Sequence, residues 1–203
     1  MNKLTFLKPL IFCALFSGAQ QVAALESPTM FVEKVFADLV AQLDELQRSP
    51  SVNEVETLFT RTLGPHIDYP GLARWTLREH WKNSSEDQRT AFLSALEKHV
   101  MKTYASALTF DKSIRLNLDD DIKPGKRLIQ VTGQLEGVGN GSTNVLFRLV
   151  GTDGSWQIFD VGIHGISIAK TLRADIAAIA GTGGIDAATS ALESGSLQLL
   201  SQR

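Results

Sequence analysis

The amino-acid sequence predicts an α+β fold in which helices precede and follow one antiparallel sheet and cover it. Between residues 28 and 108, apolar residues recur at three- and four-residue steps, the period of amphipathic helices. From residue 112 to 161 the period changes to two, and beyond residue 166 it becomes helical again. Short joins between consecutive strands favour antiparallel pairing, and helices segregated from strands are typical of the α+β class.

Helices dominate the first half of the predicted fold. Four are expected, over residues 28–48, 52–63, 70–81 and 85–108. Pro28 suits a first helical turn, and Ser85 with Gln88 has the spacing of a capping box. These signals predict well-defined starts for the first helix and for the long fourth helix.

The second half is predicted to contain a four-stranded sheet and two more helices. The strands are expected over residues 112–118, 128–135, 144–150 and 155–161. The helices follow over residues 166–180 and 185–200, with a flexible link at Gly181–Gly184. Large apolar residues occur on both faces of the strands, as in Leu146 beside Phe147. Such a sheet under helices either packs solid or leaves an apolar cavity.

The first 24 residues have the pattern of a secretory signal peptide. Lys3 and Lys8 give a basic start, Leu10–Ala19 is a short apolar run, and cleavage is predicted after Ala24. The only cysteine, Cys13, leaves with this segment, so no disulfide is available to the rest of the chain. A soluble bacterial periplasmic product is therefore expected.

Removal of 24 of the 203 residues leaves 179, which predicts one domain over residues 25–203. Cleavage of the segment removes two lysines and no acidic residue, so the remaining chain has 18 basic and 22 acidic residues. This negative balance argues against nucleic acid as a partner.

Ser167 is the strongest candidate nucleophile in the sequence. Gly165–Ala169 is one residue short of the G-x-S-x-G elbow of many hydrolases, and it lies between a predicted strand and a predicted helix. In that fold a histidine follows the serine, whereas His164 is the last histidine here. We therefore interpret Ser167 as the N-cap of the following helix.

The spacing of the other candidate residues does not match that of a metal-binding or phosphate-binding site. The remaining histidines, His66, His80 and His99, form no helical metal-binding pair, and Asp119–Asp121 lacks the spaced ligands of a calcium loop. The run Gly181–Gly184 follows a helix and so does not suit a phosphate-binding loop. No metal or cofactor is predicted.

Two segments of the chain resemble the MlaC, or toluene-tolerance, family. The first is DYPGLARWTLREHWKNSSEDQRTAFLSALEKHVMKTYASAL, in which the family pattern falls on Asp68, Trp81, Gln88, Arg89, Phe92 and Tyr104. The second is WQIFDVGIHGISIAKTLRADI, where it falls on Trp156, Asp160, Gly165, Ser167 and Arg173. The closing Gly184-Ile185-Asp186 and Leu192 match as well.

This chain departs from the family pattern at two places. It has Leu77-Arg78 where the family usually has Leu-Gly, and Leu172-Arg173 where the family often has Tyr-Arg. Both lie on predicted helices away from the sheet signature. They leave the predicted fold intact but affect any partner contact made there.

The resemblance implies a strongly curved sheet, similar to the nuclear-transport-factor-2 roll, with a deep apolar pocket for lipid tails. It implies a periplasmic phospholipid carrier that acts as a monomer. The implied partners are an inner-membrane ABC transporter with a ring of MCE domains and an outer-membrane lipoprotein complex. Ser167 and Arg173 are expected to be structural.

Side chains from the sheet, the turn after it and the long helix are expected on the pocket wall. They are Val100, Tyr104, Phe147, Leu149, Ile158, Val161, Ile163 and Ile166. Alternation along a strand defines two sets of residues but does not tell which set faces inward.

Two other functions remain open. An enzyme on the same fold would need converging polar groups, for which Asp160 and Tyr104 are the available pair. An adaptor or chaperone would have a filled core and an exposed apolar patch instead.

Overall fold

The computed structural model describes residues 26–46, 50–107, 110–125, 127–138, 141–152 and 154–197. The predicted signal peptide lies outside these residues. Within them, no helix combines the length and hydrophobicity that crossing a bilayer requires.

The first helices begin where capping residues occur in the sequence. Helix α1 (Pro28–Glu45) begins after Ser27, whose hydroxyl accepts a hydrogen bond from the Met30 backbone N–H at 3.1 Å. Helix α2 (Val52–Thr62) begins with a capping box between Ser51 and Glu54.

The predicted third helix is two helices in the structure, α3 (Tyr69–Leu77) and α4 (Glu79–Lys82). They are separated by Arg78, whose φ of 51° and ψ of −113° do not fit a helix. Arginine is a good helix former, so the sequence pattern gives no warning of this break. A 3₁₀ turn over Gly64–His66 precedes α3.

The long helix α5 (Glu86–Ala107) confirms the capping box predicted at its start. The Ser85 backbone N–H donates to Gln88 Oε1 at 3.1 Å, and the Gln88 backbone N–H donates to Ser85 Oγ at 3.2 Å. Helix α6 (Ile168–Ser194) replaces the two predicted C-terminal helices, with a kink at Gly184. Gly184 has a φ of 69°, which glycine adopts without strain. The flexible link predicted over Gly181–Gly184 is therefore a kink at one residue.

The predicted count of four strands is wrong, because the sheet has six. The strands are β1 (Phe110–Leu118), β2 (Lys123–Pro124), β3 (Ile129–Val138), β4 (Ser142–Thr152), β5 (Ser155–Ile163) and β6 (Ile166–Ser167). Their order is β1-β3-β4-β5-β6, with β2 paired to β3, and all these pairs are antiparallel. The four long strands correspond to the predicted ones. The two added strands have two residues each, too few to show a period.

The core has a helical part and a part between α1 and the sheet. Helices α2, α3, α5 and α6 bury side chains such as Phe59, Phe92, Leu96 and Leu172 among themselves. Helix α1 instead buries Phe31, Val32 and Val35 against the sheet. This second part positions the candidate site.

Replacing the strained Arg78 with glycine is expected to stabilise the protein. A non-glycine residue at such a backbone conformation costs on the order of 1–3 kcal/mol, and glycine relieves much of it. Arg78→Gly should raise the free energy of unfolding by about 1 kcal/mol in chemical denaturation. Arg74→Gly, inside α3, is the matched control and should lower it by about 1 kcal/mol. A loss of stability in Arg78→Gly would contradict the conclusion that the backbone at Arg78 is strained.

His99 on α5 is expected to make stability depend on pH. It is 6% exposed, and its Nε2 has no hydrogen-bond partner among the described residues. Burial lowers the pKa of His99, and a hydrogen bond to the Leu192 backbone offsets this only in part. The unfolded chain therefore takes up a proton below about pH 6.5 that the folded chain resists, so stability falls as the pH drops.

Denaturation at about pH 7.5 and about pH 5.5 tests this linkage. The loss of stability between the two should be smaller in His99→Gln than in the native chain. Burial also lowers the pKa of His66, which is present in both proteins, so their difference isolates His99. An equal loss in both proteins would contradict this role of His99.

Candidate functional site

An apolar cavity of about 120 Å³ lies between α1 and the sheet. Every side chain around it is aliphatic or aromatic: Val32, Val35, Phe36, Leu39, Val40, Leu43, Phe59, Leu63, Ile67, Ile114, Leu135, Val145, Phe147, Ile158, Val161 and Ile163. Apolar cavities of this size stay dry and bind apolar molecules. The lining formed by these described residues therefore suits hydrocarbon.

Alternation along β4 places one set of side chains on the cavity face of the sheet. Val145 and Phe147 line the cavity, whereas their neighbours Leu146 and Arg148 line a groove on the opposite face. Leu149 continues the cavity-side row but lies in the packed core beside the cavity. The structure thus determines which of the two strand faces is turned inward.

A β-bulge in β5 brings residues of both parities to the cavity face. Arg148 pairs with Asp160 and Leu149 with Ile158, so Phe159 is the extra residue in β5. Ile158 and Val161 therefore both line the cavity although strict alternation would place them on opposite faces. Asp160 is left between them, buried and away from the cavity lining.

The two ends of the cavity are bordered by different side chains, and we call them the closed end and the open end. At the closed end Phe31, Leu149 and Trp156 are buried, and the Trp156 indole N–H donates to the Glu26 carbonyl at 2.6 Å. At the other end Leu43 and Ile163 are only half-buried where they pack on Ile114, Leu135 and Val145. A ligand would therefore enter beside the C-terminal half of α1.

The eight residues predicted for the pocket wall are found in different places. Phe147, Ile158, Val161 and Ile163 line the cavity. Leu149 is fully buried beside it, and Val100 belongs to the helical core, where it borders a smaller cavity of about 30 Å³. Ile166 is 45% exposed in β6 and does not line the cavity. The side chain of Tyr104 lies outside the described part of the structure.

The sequence analysis did not place α1 on the wall, although α1 supplies six lining side chains. The apolar stripe from Val32 to Leu43 predicted a buried helix face. It carried no information about whether that face meets a solid core or a cavity, because both require the same apolar residues. Only the packing of α1 on the sheet distinguishes them.

Ser167 is confirmed as the N-cap of α6. Its hydroxyl accepts a hydrogen bond from the Lys170 backbone N–H at 3.1 Å and donates to Asp160 Oδ2 at 2.6 Å. The other Asp160 oxygen accepts from the Ala169 backbone N–H at 2.9 Å. Ser167 thus caps the start of α6 and ties it to Asp160.

Asp160 also forms an ion pair with Arg148 on β4, so its carboxylate has partners on three sides. It is 5% exposed. A buried carboxylate that accepts this many hydrogen bonds is a structural anchor for the start of α6. The side chain of Tyr104, the other member of the pair considered for an enzyme, lies outside the described part of the structure.

The outer face of the sheet carries a second, polar groove of about 400 Å³. Thr132, Gln134, Asn144, Arg148 and Lys170 are among its lining residues. It is larger than the apolar cavity, and charged and polar side chains interrupt its apolar surface. Among the described residues, no three histidine, cysteine or acidic side chains are grouped so as to hold a metal ion.

The sequence pattern of the family described as MlaC protein matches residues 31–194 of this chain. The chain belongs to the MlaC family. The match runs from the first turn of α1 to the last residue of α6, so it includes both walls of the cavity.

A sequence relative and a solved structure are similar to this chain. The intermembrane phospholipid transport system binding protein MlaC of Haemophilus influenzae is 22% identical over 159 residues, covering 76% of this chain and 73% of that protein. A phospholipid-binding protein from Ralstonia solanacearum, solved in complex with a phospholipid, superposes with a TM-score of 0.74 at 14% identity. That likeness covers 87% of this chain and all of the other, and it shows the shared fold.

Loss of the Ser167 hydroxyl is expected to affect stability alone. Ser167→Ala removes a helix cap and a donor to a buried carboxylate, so the free energy of unfolding should fall by about 1 kcal/mol. Ser167→Thr keeps the hydroxyl and should retain most of that stability in the same denaturation experiment. Loss of co-purified lipid from a folded Ser167→Ala protein would instead place the hydroxyl in contact with a ligand.

Proposed function

We propose that this chain is a phospholipid carrier that buries acyl chains between α1 and the sheet. The observation that carries this proposal is a cavity lined only by apolar side chains and open beside α1, within the segment that matches the MlaC family. The names of the two similar proteins support phospholipid as the cargo. The proposal includes no cofactor and no enzymatic step.

The energetics favour a carrier that exchanges lipid with membrane-bound partners. Burial of a methylene group contributes about 0.8 kcal/mol, so a tail of about 16 carbons gains about 12 kcal/mol relative to water. A bilayer offers the tail the same gain, so transfer between the two is nearly balanced in free energy. The barrier therefore lies in extracting the lipid, which a docked partner can lower.

Loading an entire acyl chain requires the cavity to widen. Pockets for drug-sized ligands hold about 300–1,000 Å³, whereas this cavity holds about 120 Å³. Its lining side chains at the open end, such as Val40 and Leu43 on α1, are half-buried and have solvent on one side. Displacement of the C-terminal half of α1 away from the sheet would supply the missing volume.

The remaining features of the proposal concern where the carrier works and with what. We propose export to the periplasm after cleavage near Ala24, and a single domain over residues 25–203 whose sheet curves like the nuclear-transport-factor-2 roll. An inner-membrane ABC transporter with an MCE-domain ring and an outer-membrane lipoprotein complex would exchange lipid with it. The protein would work as a monomer.

A charge on the cavity face should abolish lipid carriage while the same charge on the outer face should not. Phe147→Asp places a carboxylate among apolar side chains, whereas Leu146→Asp places it in the polar groove one residue away. Phospholipid extracted from the purified protein should fall several-fold in Phe147→Asp and stay at the native level in Leu146→Asp. Circular dichroism and thermal melting would check that both are folded.

Two results would contradict the proposed carrier function. One is equal lipid content in folded Phe147→Asp and Leu146→Asp proteins. The other is a native protein, purified from periplasm, that contains no lipid and gains none from vesicles even with its transporter. The second result would favour the adaptor that binds protein partners.

A further inference from the structure

The turn between β5 and β6 places a histidine beside the open end of the cavity. Ile163 pairs with Ile166, so His164 and Gly165 form a two-residue hairpin loop. Both have positive φ, 53° and 79°, as a type I′ turn requires. Histidine is among the few non-glycine residues that adopt positive φ readily, so the turn accommodates it at the first of these positions.

The ring of His164 is held in place by a side chain on the cavity face of the sheet. Thr143 Oγ1 lies 2.8 Å from His164 Nδ1. Thr143 is buried and continues the row of Val145 and Phe147 on β4, opposite Leu135 on β3. The polar pair of Thr143 and His164 therefore ends an otherwise apolar row at the open end of the cavity.

The contact with Thr143 engages Nδ1, so Nε2 is the ring nitrogen left for a ligand. Nε2 carries a proton, and so is a donor, in the tautomer whose Nδ1 accepts from the threonine hydroxyl. His164 itself is exposed, so this donor is accessible from solvent. A donor next to an apolar cavity suits an anionic group attached to hydrocarbon.

We infer that His164, oriented by Thr143, donates a hydrogen bond from Nε2 to the phosphodiester of the carried lipid. This inference rests on the proposed carrier function and adds a residue that selects for the phosphate. The tails supply most of the affinity in the cavity. The imidazole distinguishes a phospholipid from a lipid that has the same tails and no phosphate.

Two soluble lipids with identical tails test the inference, dioctanoylphosphatidylethanolamine and dioctanoylglycerol. His164→Gly keeps a residue that tolerates positive φ and removes the imidazole. Loss of a hydrogen bond to a charged group should lower affinity for the phospholipid by roughly tenfold. Affinity for dioctanoylglycerol should stay unchanged. Calorimetric titration measures both, with His80→Ala on α4 as the control that alters neither.

Thr143→Val removes the orienting hydroxyl at nearly constant volume and should reproduce part of the selective loss. A His164→Gly protein that loses affinity for both lipids equally, or for neither, would overturn the inference and leave the carrier function standing. A native protein that binds neither lipid would overturn the carrier function as well. Displacement of the phospholipid by excess inorganic phosphate would assign the imidazole to free phosphate and overturn the lipid contact.

Discussion

The carboxylate of Asp160 is the interaction on which the relative placement of sheet and helices depends. A buried charge is costly unless its hydrogen-bonding capacity is used, and here donors come from β4, from Ser167 and from the first turn of α6. Helix α6 carries Leu172 and Ile176 into the centre of the helical core. One side chain thus connects the sheet that bears the cavity to the helices that support it.

The same strands serve two different environments because their side chains alternate. On one face they line an apolar cavity, and on the other a groove with Arg148 and Asn144. A solid core on the inner face would need larger side chains or a closer α1. The sheet is therefore compatible with both packing and binding, and the distance of α1 decides between them.

Much of this fold could be predicted from the period of apolar residues, which identified α1, α5 and the four long strands. The break at Arg78 could not, because the arginine has a high helix propensity and only tertiary packing imposes its positive φ. For the site, alternation defined two sets of side chains without telling which faces inward; Phe147 lines the cavity, whereas Val100 is in the helical core. A residue's apolarity predicts that it is buried, but the partner it is buried against depends on contacts distant in sequence.

The extra residue Phe159 in β5 has a consequence for how this family can change over evolutionary time. Deleting it would restore strict pairing with β4. The side chains on one side of the deletion would then switch between the inward and outward faces of the sheet, while those on the other side kept their faces. Asp160 would then be turned into the apolar layer or Val161 out of it, and neither step is tolerable alone. We therefore expect insertions and deletions to be tolerated in the loops on either side of β5 rather than within the strand.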